Sequence, residues 1–118
     1  MEVVKKPWGW EKWLHQGRFV TKIIFIHGGK RCSRQYHREK EEVNVIMSGV
    51  CEVELNGKKT SYNSGDYFIV MPNTVHRVTA NTDLLMAESS TLELDDVIRV
   101  EDDYSRPDGR IDSEHEKN

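Results

Sequence analysis

The 118-residue chain lacks any helical signature. No window of about a dozen residues sustains the 3.6-residue apolar period of an amphipathic helix. That argues against helix bundles and against parallel sheets with helical crossovers. Long apolar runs are missing as well, and nothing approaches the roughly twenty residues that a membrane-crossing helix needs. Cysteine is scarce: Cys32 and Cys51 are the only two, and neither sits in a CxxC pair. That speaks against a disulfide scaffold or a zinc knuckle and fits buried or half-buried free thiols in a reducing compartment. There is no excess of positive charge, with 17 Lys and Arg against 20 Asp and Glu and a net charge of −3. No global field therefore draws the chain to nucleic acid or to an anionic membrane. The stretch MEVVKKPWGW has no apolar core of signal-peptide length before Pro7. The expectation is a soluble cytoplasmic protein of one domain.

Short β-branched and aromatic segments bounded by turn residues are what the chain does contain. FVTKIIFIH (19–27) runs into Gly28-Gly29, and EVNVIMS (42–48) puts Val43, Val45 and Met47 on one face. VCEVEL (50–55) alternates Cys51, Val53 and Leu55 against Val50, Glu52 and Glu54. Asn56-Gly57 follows, the strongest short hairpin signal there is. KKTSYN, DYFIVMP, VHRVTAN, LLMAESSTLE and DVIRVE carry the pattern on to Glu101. About nine short strands at regular spacing predict an all-β fold, a small single-domain β-barrel or sandwich. Alternate side chains of such a barrel point inward. This domain spans residues 1–106. Residues 107–118 are polar and are expected to form a disordered tail, with His115 a solvated member of it.

Outside the tail, histidine is limited to His15, His27, His37 and His76. Gln35 and His37 are two apart and so share a face of an extended segment. Glu42 opens the next strand across a short turn, and its spacing to Gly49 favours it over Glu41. Gly65, Pro72 and His76 form a second frame. Two neutral imidazoles and a carboxylate, with an amide oxygen nearby, suit a divalent ion and leave positions open for substrate or water. Gln35 either ligates directly or hydrogen-bonds a bound water or hydroxyl. His27 reads as a strand-end residue, and His15 as a surface one.

These two frames resemble the two motifs of the cupin superfamily, with Gln35 in place of the first histidine of the usual His-x-His pair. KPWGWEKWL, QYHREKEEVNVIMSG, VELNGKK and DDVIRVEDDYSR are similar to one branch. That branch is the cupin domain at the C-terminal end of type II mannose-6-phosphate isomerase/mannose-1-phosphate guanylyltransferase, and it also carries the Gln. The resemblance covers roughly residues 6–106 and implies a cupin or jelly-roll barrel. It implies one divalent metal ion (Mn, Fe, Zn, Ni or Co) held by Gln35, His37, Glu42 and His76. There are departures. Glu39 and Lys40 stand where a His and an Arg are expected, and MPNTVH has Asn73 at the glycine place. Asn tolerates positive φ, so that turn can survive. No Gly-rich nucleotide-binding stretch occurs in these residues, and nucleotidyl transfer is not expected of them.

The resemblance implies a metal-dependent isomerase of a phosphorylated sugar, interconverting mannose 6-phosphate and fructose 6-phosphate or a related pair. The alternatives are a non-catalytic, metal-dependent sugar or sugar-nucleotide binding module and an Fe(II) dioxygenase. Lys22 shares a stripe with Val20, Ile24 and Ile26. It either faces the site as a catalytic residue or snorkels from the rim. Lys30, Arg31, Arg34, Arg38 and Arg77 are candidates for holding a phosphate, and otherwise they are solubilising charge. With Lys40, the first four are expected on the outside or the rim. Arg77 should point away from the barrel interior if His76 points in. Trp8, Trp10 and Trp13 pack either on their own barrel or across the interface of a homodimer, a pairing that cupin edge strands often form.

Overall fold

The computed structural model describes residues 2–93 and 95–115. Eleven strands run in chain order: β1 (Glu2–Lys6), β2 (Gly9–Gln16), β3 (Val20–Ile26), β4 (Arg34–Tyr36), β5 (Glu42–Ser48), β6 (Val50–Leu55), β7 (Lys58–Asn63), β8 (Tyr67–Val70), β9 (His76–Ala80), β10 (Leu84–Ser90) and β11 (Ile98–Glu101), followed by a 3-10 turn (Asp112–His115). They form two antiparallel sheets. One has six strands in the order β1-β2-β3-β10-β5-β8, and the other has five in the order β11-β4-β9-β6-β7. Among the described residues no helix is long and apolar enough to cross a membrane.

The alternation that marks each strand decides what lies between the sheets. Val20, Lys22, Ile24 and Ile26 of β3 are buried, as are Cys51 and Val53 of β6. On β5 the buried set is Glu42, Asn44 and Ile46, so Val43, Val45 and Met47 occupy the outer face. The apolar core is built from Ile24, Ile26, Ile46, Val53, Phe68, Val70, Val78, Leu84 and Met86, with Trp8 packed into it. Trp10 stacks on Phe25 at 5.6 Å, and Trp13 lies over Lys22. All three tryptophans therefore contact their own chain.

Turn chemistry follows the sequence. Asn56 and Gly57 take φ of 48° and 85° and join β6 to β7 as a two-residue hairpin loop. Asn73 takes φ of 64°, which carries the turn before His76 without a glycine. The C-terminal segment is docked as far as it is described. The Gly109 N–H donates to the Val97 carbonyl at 2.9 Å, and Lys6 pairs with Glu114 at 2.7 Å. His115 meets Glu2 at 2.9 Å and the Trp13 ring edge-on. The solvated position expected for His115 is thus corrected, because ion pairs hold this segment where apolar burial does not. Residues 116–118 lie outside the described set.

Gly49 has φ of 97°, and an added Cβ would lie 2.2 Å from the Asp83 carbonyl oxygen. Gly57 has a similar φ of 85° but open space around it. Gly49→Ala is expected to cost about 3 kcal/mol, from strain plus a backbone clash. Gly57→Ala should cost about 1 kcal/mol, from strain alone. Urea denaturation midpoints of the two variants test the order.

Candidate metal centre

β4 and the loop after it, the start of β5 and the start of β9 converge on the cavity between the sheets. Gln35 sits opposite His76 in the β4–β9 register, and Glu42 is the first residue of β5. His37, Glu42 and His76 are all buried, and one potential ligand atom from each lies within 4.8 Å of the others. His37 Nε2 is 3.8 Å from Glu42 Oε2, and His76 Nε2 is 3.6 Å from Glu42 Oε1. These separations are too long for hydrogen bonds and short enough for the three groups to share one ion.

Both rings are oriented by backbone. His37 Nδ1 lies 2.6 Å from the Asp96 carbonyl, and His76 Nδ1 lies 2.9 Å from the Thr74 carbonyl. With the Nδ1 proton donated to a carbonyl, each ring turns a lone pair on Nε2 toward Glu42. His37 Nε2 is buried with no hydrogen-bond partner among the described residues. An unpaired buried acceptor costs about 1–3 kcal/mol unless something fills its place, and a cation is the partner that its surroundings suit. The donor set therefore fits a divalent ion.

Electrostatics agree. Burial, with the Lys40 ammonium beside it, pushes His37 down to about 4, so its imidazole is neutral at pH 7. Burial alone would raise the Glu42 carboxyl, but Lys40 and His76 outweigh it and hold Glu42 down at about 2. A neutral imidazole and an ionised carboxylate are the forms that bind metal.

Lys40 corrects the sequence expectation, which put it outside or on the rim. It is 5% exposed, with its Nζ 3.1 Å from Glu42 Oε2 and 3.0 Å from Glu88 Oε1. A lysine buried this deeply must be paired, and Glu88 completes the pair. The signal for Lys40 was parity, since it stands two residues before Glu42. The signal for Glu88 was an acid on the buried stripe of Leu84, Met86 and Ser90. Glu88 faces Lys22 on one side and Asn44 on the other, so a polar row crosses three neighbouring strands.

The remaining candidates divide. Gln35 lines the cavity, and its Oε1 accepts from Ser33 Oγ. Lys22 lines it too, buried, with Nζ 3.3 Å from Glu11 and 4.4 Å from the Trp13 ring centroid. Glu41 is exposed. His15 and His27 are exposed and lie against Phe19 and Phe25. Arg31, Arg34 and Arg77 are engaged on the outer side of the five-stranded sheet by Glu54, Glu101 and Asp103. Arg77 does point away from His76's side, yet it is 3% exposed because those acids and the Cys32 carbonyl enclose it. Sequence reasoning missed Arg99, which lines the cavity. Its guanidinium donates to the backbone carbonyls of Pro107 and Gly109 and has no ion pair among the described residues.

Residues 22–88 match the cupin domain family. Mannose-1-phosphate guanylyltransferase ManC of Salmonella typhimurium is 30% identical over 109 residues, which cover 87% of this chain and 23% of ManC. Alginate biosynthesis protein AlgA of Pseudomonas aeruginosa is 31% identical over 110 residues, again 87% of this chain and 23% of that protein. The chain thus spans about a quarter of the length of these relatives. Among solved structures, KdgF from Halomonas sp. superposes with a TM-score of 0.73 at 21% identity, covering 81% of this chain and 90% of that one.

Replacing Lys40 by methionine keeps its length and removes its charge. Lys40→Met is expected to tighten zinc or manganese binding about tenfold, because Glu42 then faces no competing cation. It should also lower stability in metal-free buffer by about 3 kcal/mol, with Glu42 and Glu88 left buried together. Titration calorimetry and urea denaturation measure the two effects separately.

Proposed function

The chain belongs to the cupin family, and we propose that it holds one divalent metal ion at His37, Glu42 and His76 and acts with it on a phosphorylated sugar. The observation that carries this reading is the orphaned His37 Nε2, aimed with His76 Nε2 at one ionised carboxylate inside a cavity. Gln35, on the same wall, is a fourth ligand or a hydrogen-bond partner for what the ion holds. The sugar phosphate is argued from the names of the relatives, ManC and AlgA, and from the cations that line the cavity.

A metal ion at this position would supply Lewis acidity toward adjacent carbonyl and hydroxyl oxygens. The protein's own groups do the rest. Arg99, with no carboxylate engaged among the described residues, offers planar donors to a phosphate. The Trp8 Nε1 is buried on the cavity wall with no hydrogen-bond partner among the described residues and offers one donor to a sugar oxygen. Lys22, which lines the cavity beside Glu11 and the Trp13 ring, is the group proposed to donate to an oxygen that gains charge as a proton leaves the neighbouring carbon. Isomerisation of an aldose and ketose phosphate, such as mannose 6-phosphate and fructose 6-phosphate, is the reaction these groups suit.

A second reading is favoured by one observation. Lys40 already neutralises part of Glu42, which weakens the ion's hold and suits a non-catalytic module that binds metal and sugar without turnover. Purified protein is expected to contain a stoichiometric divalent metal and to interconvert mannose 6-phosphate and fructose 6-phosphate in a chelator-sensitive way. Lys22→Ala should lower kcat about 100-fold or more with metal content unchanged, and Arg99→Ala should raise KM for the phosphorylated sugar. His37→Ala should lose both metal and activity. Tight binding of hexose phosphates with no turnover would decide for the binding module, and ferrous-dependent oxygen uptake for a dioxygenase. Metal-free protein whose ligand binding survives His76→Ala would overturn the metal reading altogether.

A further inference from the structure

We propose that Lys6 and Arg106 form a seat for the phosphate of the substrate, and that Glu114 fills this seat until a phosphorylated sugar displaces it, so that residues 107–115 act as a strap over the cavity. The substrate class rests on the sugar-phosphate reading of the cavity; the seat itself rests on its cations. Lys6 ends β1 and Arg106 follows β11, and both line the cavity that holds His37, Glu42 and His76. Glu114 bridges them. Its Oε1 lies 2.7 Å from Lys6 Nζ, and its Oε2 lies 3.2 Å from Arg106 Nη1. All three side chains are only 9–11% exposed. A carboxylate whose two oxygens each meet a cation makes the contacts that two oxygens of a phosphate would make.

A third cation stands beside the seat with a donor to spare. Arg99 Nε is buried with no hydrogen-bond partner among the described residues. Burial first, and then the Arg106 guanidinium beside it, lower the Arg99 pKa from its ordinary value. An anion between the two guanidiniums opposes that shift. Arg106 is held ready: Asp102 accepts from its Nε at 3.0 Å and from its Nη2 at 3.1 Å, which leaves Nη1 for the occupant of the seat. A phosphate monoester carries a charge of about −1.5 to −2 at pH 7 and three acceptor oxygens, against a single charge and two oxygens for Glu114. It satisfies Lys6 and Arg106 and has an oxygen left for Arg99.

The strap covers the cavity without being packed into the fold. Gly109, Ile111 and His115 line the cavity. Apart from Pro107, Ile111 is the one apolar side chain in 107–115, and no residue of the 3-10 turn is buried. The ties beyond Glu114 are polar. The Gly109 N–H donates to the Val97 carbonyl at 2.9 Å, Arg99 Nη1 donates to the Gly109 carbonyl at 3.0 Å, and His115 meets Glu2 at 2.9 Å. A segment with so little apolar burial opens at low cost. The Arg99 tie gives way to the same anion, since a phosphate on Arg99 competes with the carbonyls of the strap.

The probe is inorganic phosphate, added to the full chain without metal or sugar. Trypsin reads the strap, because Arg110 is exposed and is the one Lys or Arg in 107–115. A cut there releases residues 111–118, which mass spectrometry identifies. Phosphate is expected to speed this cut about tenfold, and chloride at the same ionic strength is not. Glu114→Gln keeps the size of the side chain and removes its charge. It should be cut fast without phosphate, and in titration calorimetry it should bind phosphate about tenfold more tightly, because no tethered carboxylate competes. Adding Lys6→Met to Glu114→Gln should abolish that gain. A cutting rate that phosphate changes no more than chloride does, up to about 50 mM, overturns the proposal and leaves Glu114 a tie of the C-terminal segment. Equal phosphate affinity in the parent chain and Glu114→Gln overturns it as well. A chain whose strap yields to phosphate but which turns over no hexose phosphate keeps the seat and fails the isomerase reading. One that isomerises hexose phosphates while its strap ignores phosphate does the reverse.

Discussion

A carboxylate buried between two sheets needs a positive partner, and Glu42 has one that is fixed and room for another. Lys40 touches one of its oxygens at 3.1 Å, while the two imidazoles stand off at 3.6 and 3.8 Å. The fixed partner makes the fold viable without an ion. The stand-off distances leave room for one. Most other polar choices between the sheets follow from this. The Lys40 ammonium has more N–H donors than Glu42 alone satisfies, and Glu88 accepts from it at 3.0 Å. Glu88 stands beside Lys22 in the strand register, and Lys22 pairs in turn with Glu11. The chain of alternating charge ends where the N-terminal hairpin closes the cavity.

The histidines are set by backbone rather than by side chains. The Asp96 and Thr74 carbonyls fix His37 and His76 through Nδ1, and both carbonyls belong to loops. Asp96 does a second job: its carboxylate accepts from the N–H groups of Arg38, Glu39 and Lys40. One residue therefore pins the loop that carries His37 and orients the ring itself. Burial opposes ionisation at Asp96, but these three N–H donors hold the carboxylate below its ordinary range, which suits an acceptor of several bonds.

Much of this was legible in the sequence, for identifiable reasons. Period-two alternation placed the strands, with β5, β6 and β7 bounded as read, because one-sided burial enforces register. Asn56-Gly57 and Asn73 announced their turns through the φ values they tolerate. His37, Glu42 and His76 emerged from spacing to glycines that are themselves constrained, as the clash at Gly49 illustrates. Lys40 was hidden because it lies in a turn whose composition, REKEE, imitates a solvated loop. Arg99 and His115 were hidden because their positions depend on a C-terminal segment held by ion pairs, and ion pairs have no sequence period.

The same register that makes the site makes the outer face. In a strand, each polar residue turned inward leaves its two neighbours turned outward. β5 and β10 place Glu42, Asn44 and Glu88 inside, and so put Val43, Val45, Leu85 and Ala87 outside. β-propensity favours branched and apolar residues in central strands whichever way they point. A sheet with a polar functional interior thus retains apolar side chains for which its own core has no place. The monomer then gains less hydrophobic burial than its composition would allow, at about 25 cal/mol per Å² left in water. Covering that face would return this free energy without touching a residue of the cavity. Stability and site chemistry in this sheet are therefore opposite readings of one alternation, and a one-residue shift of register would forfeit both.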